Sequence, residues 1–161
     1  MIGDAGSPSA RATLAILRGI LLAILIVGLV GMLTELFFLE HTEDGWQRLP
    51  IFMLLASLII LAWHALDRSA FSVRVLQSAM SLFVLTGMIG VALHLKGNIE
   101  FELEMQPSGR GVGLLWATLR GATPTLAPGA MVQLGLIGLA YTYRHPAFRP
   151  HNGSTPARRP W

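Results

Sequence analysis

Two histidines and several glutamates lie near one set of predicted helix ends, and their side chains are of types that bind metal ions. His41 follows the first apolar segment and His94 ends the third, so the two lie at similar depth. Imidazole with carboxylate suits several divalent metals, and carboxylates alone suit calcium. The spacing matches no known metal motif, and charged loops also end helices in water, so a solvated or hydrogen-bonded role is the favoured interpretation. The candidate ligands here are His41, His94, Glu35, Glu100, Glu102 and Glu104.

Methionines form a second set that could bind a soft metal. Met32, Met53, Met88 and Met131 lie on four different apolar segments, each toward the same membrane face. Thioethers favour Cu(I), which adds Met32 and Met88 to the candidate ligands. Methionine is also a flexible filler of apolar cores, and this is the favoured interpretation. We therefore predict no cofactor, with a transition metal ion as the alternative.

Other classes of chemistry are excluded or disfavoured by composition. The chain has no cysteine, which removes disulfides, thiolate metal sites and dithiol redox chemistry. It has no nucleophile elbow, zinc-protease helix, phosphate loop or dinucleotide fingerprint. No charged residue lies at mid-membrane depth unless Glu35 is drawn inward, which argues against a proton-driven carrier. The excess positive charge lies mainly in the tails and predicts no nucleic-acid site. Because the sequence has none of these catalytic signatures, an enzyme is not expected.

Four long apolar segments must position any such residues. The chain has 161 residues, 53% of them hydrophobic, and a mean hydropathy of +0.57. A membrane-spanning helix needs about 20 mostly apolar residues. The segments are 12–34, 46–66, 71–95 and 126–143. We predict an all-α membrane protein, a bundle of four transmembrane helices occupying 12–144, with a cytoplasmic lead-in at 1–11 and a disordered basic tail at 145–161.

The charges between the segments predict an orientation. Eight of the 12 lysines and arginines fall on one side, and the positive-inside rule makes that side cytoplasmic. Both termini should therefore be cytoplasmic. The eight are Arg11, Arg18, Arg68, Arg74, Arg144, Arg149, Arg158 and Arg159.

The loop at 96–125 is predicted to cap the outer face. Gly97 and Asn98 are typical of a helix C-terminus. Residues 99–105 alternate apolar and acidic, a pattern of an extended strand that would place Glu100, Glu102 and Glu104 on one face. Residues 112–119 are apolar but too short to span, which predicts a short amphipathic helix in the outer interface.

Glycine pairs at a three-residue spacing occur in the first, third and fourth segments. Small residues let helix backbones approach closely in a membrane, so helix packing is the favoured role. Binding of a partner subunit or a flat cofactor by one glycine face is the alternative. The pairs are Gly28 and Gly31, Gly87 and Gly90, and Gly135 and Gly138.

Three runs in the second half of the chain resemble a family of small uncharacterised bacterial four-helix membrane proteins. The runs are GNIEFELEM at 97–105, GATPTLAPG at 121–129 and YTYRHP at 141–146. The resemblance implies the bacterial inner membrane and no particular activity. The leading hypothesis is therefore a non-catalytic accessory or structural subunit, with a membrane protein partner or a second copy beside the lipid bilayer. A metal-handling protein of the outer face is the alternative, and an oligomeric small-solute channel or carrier is the third.

Overall fold

A computed structural model describes residues 8–40, 45–121 and 127–148. These parts of the chain are almost entirely helical and contain no strand. The elements in chain order are α1 (Pro8–Phe38), α2 (Gly45–Leu66), α3 (Ala70–Met105), α4 (Gly111–Leu119) and α5 (Gly129–Thr142), followed by a 3-10 turn at Pro146–Phe148.

Three of the helices are long and apolar enough to cross a membrane: α1, α2 and α3. At about 1.5 Å per residue they measure roughly 46, 33 and 54 Å, against a hydrocarbon core of about 30 Å. Most of their large apolar side chains are exposed on the protein surface, as lipid contact requires. By length and composition this is a multi-pass membrane protein.

The fourth predicted span is represented by α5, which is shorter than a membrane-crossing helix. Its 14 residues extend over roughly 21 Å. The predicted span starts at residue 126, and residues 122–126 lie outside the described part of the chain. The fourth crossing therefore stays a prediction.

Helix α3 is the centre of the bundle and packs on α2, α4 and α5. One stripe of it is buried, including Leu76, Met80 and Phe83. Against α5 the two backbones come close. A Cβ added to Gly135 would lie 2.8 Å from the Met80 carbonyl oxygen, and one added to Gly87 would lie 2.9 Å from the Pro128 carbonyl oxygen.

The remaining paired glycines differ in their surroundings. A side chain at Gly28 would meet Leu134, one at Gly90 would meet Pro128, and one at Gly138 would meet Met80. Gly31 faces open space, with no atom within 4 Å of an added Cβ. Five of the six paired glycines therefore lie at helix contacts, and Gly31 does not.

The prediction of an extended segment at 99–105 is wrong. Helix α3 runs unbroken through Gly97 and Asn98 to Met105. Asn98 lies inside the helix, its side chain is buried, and its Nδ2 donates to the Thr118 carbonyl of α4 at 3.1 Å. Alternation of apolar and acidic residues does not prevent a helix that is already nucleated from continuing into water.

This helix also rearranges the predicted acidic face. Glu100 and Glu104 are four residues apart and share one helix face, whereas Glu102 is turned roughly 200° from Glu100. The three carboxylates therefore do not line up as the extended interpretation predicted. The short helix predicted at 112–119 is confirmed as α4.

Antiparallel packing gives the bundle two chemically different ends. At one end Arg18 of α1 donates to the carbonyls of Tyr143 and Arg144, which directly follow α5, and α2 ends close to where α3 begins. We call this the basic end; it carries Arg18, Arg68, Arg74 and Arg144. The opposite end, which we call the acidic end, carries five glutamates among four basic residues: Glu35, Glu40, Glu100, Glu102 and Glu104, with Arg48, Lys96, Arg110 and Arg120.

Helical structure reaches into both predicted terminal segments. Helix α1 spans Pro8–Phe38 and so includes the end of the predicted lead-in at 1–11. The 3-10 turn at Pro146–Phe148 lies within the predicted tail at 145–161. The rest of that tail lies outside the described residues.

Candidate functional site: a buried histidine–tyrosine cluster

A hydrogen-bonded chain of three buried side chains joins three helix ends at the basic end. His64 comes from the last turn of α2, Ser72 from the first turn of α3 and Tyr141 from the last turn of α5. His64 Nδ1 lies 2.9 Å from Ser72 Oγ, and His64 Nε2 lies 3.0 Å from the Tyr141 hydroxyl. All three side chains are buried.

The N-cap of α3 fixes the position of Ser72 in this hydrogen-bonded cluster. Ser69 is the N-cap of α3 and its Oγ accepts from the Ser72 N–H at 3.1 Å, while the Ser69 hydroxyl donates to the Asp67 carboxylate at 2.9 Å. This cap turns the backbone so that the Ser72 side chain faces the end of α2.

The network determines the tautomer of His64. The Ser72 hydroxyl has one proton, and it donates to a backbone carbonyl, that of Asp67 or that of Ser69 at 3.0 Å. Ser72 Oγ must therefore accept from His64 Nδ1–H. A neutral imidazole then has a bare Nε2, which accepts the proton of the Tyr141 hydroxyl.

This direction of donation argues against nucleophilic catalysis by Ser72. An activated serine gives its proton to the histidine nitrogen. Here the histidine donates to the serine, and Ser72 is fully buried. These hydrogen bonds join α2, α3 and α5, and they pair both ring nitrogens of His64.

The ring of His145, which lies beyond the C-terminal end of α5, packs against the rings of His64 and Tyr141. Its ring centroid lies 5.3 Å from that of His64 and 5.7 Å from that of Tyr141. Its Nδ1 accepts the Ala147 N–H at 3.3 Å. Burial lowers the pKa of His145 below its ordinary value, and the nearby His64, Arg18 and Arg68 lower it further.

Three of the arginines at this end have partners. Arg18 Nη2 donates to the Tyr143 and Arg144 carbonyls at 3.3 and 3.0 Å, where a helix C-terminus leaves carbonyls unpaired. Arg74 lies 6.0 Å from the centroid of the Phe148 ring, and Arg144 lies 5.7 Å from that of Tyr143. Arg68 makes no hydrogen bond or ion pair within the described ranges.

The basic end also holds a pocket of about 270 Å³ between α1, α2 and α5. His64, Arg68 and Tyr141 give it its polar groups. The rest of its lining is apolar: Leu22, Ile26, Leu58, Leu61, Ala62 and Ala65.

A second concave surface is a groove of about 600 Å³ between α1 and α5. We call it the α1–α5 groove. Its lining includes small residues of both helices, Ala23, Gly28 and Ala130, and it contains the exposed Gln133 side chain. The Gln133 amide makes no hydrogen bond to any residue that the structure describes.

The predicted metal ligands at the acidic end are only partly described. His41 lies outside the described residues, so its pairing with His94 stays a prediction. His94 is half-buried, and its Nδ1 is enclosed without a hydrogen-bond partner in the described ranges. Glu100 pairs with Lys96 at 3.6 Å, and Glu35 is exposed and lines the α1–α5 groove. No group of three histidine or acidic side chains within 8–40, 45–121 and 127–148 is arranged to hold a metal.

The candidate methionines separate into two kinds. Met131 is buried in the core, and Met32 and Met53 pack against it. Met88 is 58% exposed on the outside of α3. The core packing of the first three is what a flexible, apolar side chain does in such a bundle.

Sequence reasoning missed His64, Ser72, Tyr141 and His145 as a group. One signal was present in the spacing of the buried stripes. Leu54, Ser57, Leu61 and His64 follow one another at intervals of three and four, so His64 lies on the inward face of α2. That signal was masked because the apolar residues of α2 surround the helix on every side.

Comparison with known proteins finds no matching family model, no matching curated protein and no matching solved structure. The function must therefore be argued from the chain's own geometry.

Proposed function

We propose that this chain is a non-catalytic subunit of a membrane complex that crosses a bacterial inner membrane four times with both termini in the cytoplasm. The grouping of Arg18, Arg68, Arg74 and Arg144 at one end supports this orientation, since arginines favour the cytoplasmic face. Helix α5 and its flanks would make the fourth crossing. The bacterial inner membrane is the setting predicted from the sequence, and the three long apolar helices support a membrane location.

The observation that carries the subunit role is Gln133 in the α1–α5 groove. Gln133 precedes Tyr143, at the basic end, by about 15 Å along the helix axis, which places it near the middle of a hydrocarbon core about 30 Å thick. Its side chain is exposed and has no hydrogen-bond partner among the described residues. Lipid tails offer none, and an unpaired amide in hydrocarbon is costly.

A transmembrane helix of a partner protein would satisfy this amide. Small residues at Ala23 and Ala130 allow another helix backbone to approach closely. We therefore assign the groove to a partner helix that has small residues on its contact face and an amide or hydroxyl side chain opposite Gln133. Polar side chains of this kind act between membrane helices through hydrogen bonds.

Photo-crosslinking in native membranes tests this role. A photoreactive phenylalanine analogue is introduced at Ala23, in the groove, and in a matched variant at Ile59, which is 70% exposed on α2 and outside the groove. We expect one discrete membrane-protein adduct from position 23 and none from position 59. The adduct should weaken when Gln133→Leu is added.

An absent adduct, equal adducts at both positions, or an adduct that is insensitive to Gln133→Leu would overturn the proposal. An adduct with twice the mass of this chain would identify a second copy as the occupant and overturn the assignment to a different protein.

A further inference from the structure

The pocket at the basic end combines an apolar lining with a cation that has no partner in the described chain. Its volume of about 270 Å³ is slightly below the usual range for sites that enclose a whole small molecule. It would therefore hold part of a ligand whose remainder lies in the membrane. The α1–α5 groove shares no lining residue with it.

Arg68 gives the pocket its charge. It follows the last residue of α2 by two positions, so it lies where that helix leaves the apolar layer. Arg18, Arg74 and Arg144 are occupied by backbone carbonyls or aromatic rings, whereas Arg68 makes no hydrogen bond or ion pair to any described residue. A guanidinium whose N–H groups are not already hydrogen-bonded can donate to two oxygens of a phosphate at once.

Acidic groups do little to offset this charge. Within the described ranges, Asp67 supplies the one carboxylate at the basic end, and this carboxylate accepts a hydrogen bond from the Ser69 hydroxyl. His64 and Tyr141 also line the pocket, and they are already hydrogen-bonded to each other. A ligand there would thus meet the positive charge of Arg68 and hydrocarbon side chains along the wall.

We propose that this pocket binds an anionic phospholipid of the surrounding leaflet, with its phosphate on Arg68 and part of one acyl chain between α1 and α2. Basic pockets between membrane helices on the cytoplasmic side recognise anionic head groups in this way. The proposal rests on the membrane orientation proposed above, and it does not depend on a partner helix in the α1–α5 groove.

Lipid retention by the purified full chain tests the proposal. The protein in detergent is mixed with phosphatidylglycerol, with zwitterionic phosphatidylcholine of the same acyl chains, or with free glycerol phosphate, and bound ligand is counted by native mass spectrometry. We expect retention of phosphatidylglycerol alone. Arg68→Gln should weaken its binding about tenfold, the loss of one charge-assisted contact. Arg74→Gln, at the same end but outside the pocket, should leave binding unchanged.

A second pair of variants tests the acyl chain. Ala62→Phe should fill the pocket and reduce retention of phosphatidylglycerol, while Ala56→Phe, exposed elsewhere on α2, should not. Equal retention of the two lipids, binding of glycerol phosphate as tight as that of the lipid, or no effect of Arg68→Gln or Ala62→Phe would overturn the proposal. These outcomes are independent of the crosslinking result, because the two sites share no residue.

Discussion

The Tyr141 hydroxyl donates the hydrogen bond that His64 Nε2 accepts in the buried cluster. Removal of this hydroxyl should therefore destabilise the bundle. Tyr141→Phe leaves His64 Nε2 enclosed without a donor. We expect a loss of about 1–2 kcal/mol in the free energy of unfolding, as for a buried group left unpaired between membrane helices. Unfolding in a mixed-detergent titration measures the change.

Tyr143→Phe is the matched control for that experiment. Tyr143 is 66% exposed and its hydroxyl makes no hydrogen bond within the described ranges, so the change should stay under about 0.5 kcal/mol. Equal losses for the two variants would show that the His64–Tyr141 bond contributes nothing to stability.

Residue types alone directed attention to the acidic end, where histidine and glutamate are abundant. The basic end proved to hold the connected cluster, since hydrogen bonding depends on which helix ends meet. His64 and Tyr141 are 77 residues apart in the chain. No local pattern reveals such a pairing; it follows only once α2 and α5 are known to end together.

At the scale of helices, the contact between α3 and α5 depends on glycine. Gly135→Ala would place a Cβ 2.8 Å from the Met80 carbonyl oxygen and 2.6 Å from a Val84 methyl. Because a backbone carbonyl cannot move aside cheaply, we expect a loss of about 1–3 kcal/mol in the free energy of unfolding.

Gly31→Ala provides the comparison, since Gly31 has a similar place in the sequence pattern and faces open space. Alanine is the better helix former, so this variant should be neutral or slightly more stable. The same mixed-detergent titration compares them. A Gly135→Ala variant as stable as Gly31→Ala would contradict a close backbone contact between α3 and α5.

The helices themselves were largely predictable, because apolar runs of about 20 residues are typical of membrane-spanning helices. The predicted spans at 12–34, 46–66 and 71–95 all lie within α1, α2 and α3. The extension of α3 to Met105 was not predictable from periodicity. In this part of α3, Asn98 bonds to Thr118 and Lys96 pairs with Glu100, and a two-residue alternation encodes neither contact.

At the scale of the whole molecule, the charge asymmetry is the feature on which the proposed orientation and the lipid site depend. A basic end in the cytoplasm places Arg68 at the leaflet where anionic lipid attracts it. The proposed fourth crossing puts Gln133 at mid-membrane depth, where an unpaired amide needs a partner. The charges of the loops predicted the asymmetry, and the packing of α1 and α5 at Arg18 brings the basic residues together.

Cysteine labelling in intact cells tests the four-crossing orientation most directly. The chain has no cysteine, so single-cysteine variants report without background. Suitable positions are exposed and uncharged: Leu66 and Tyr143 at the basic end, and Met105 beyond the acidic end. We predict that a membrane-impermeant maleimide labels Met105→Cys from outside, and labels Leu66→Cys and Tyr143→Cys only after the membrane is opened. Labelling of Tyr143→Cys from outside would contradict the fourth crossing, and labelling of Leu66→Cys but not Met105→Cys would contradict the orientation.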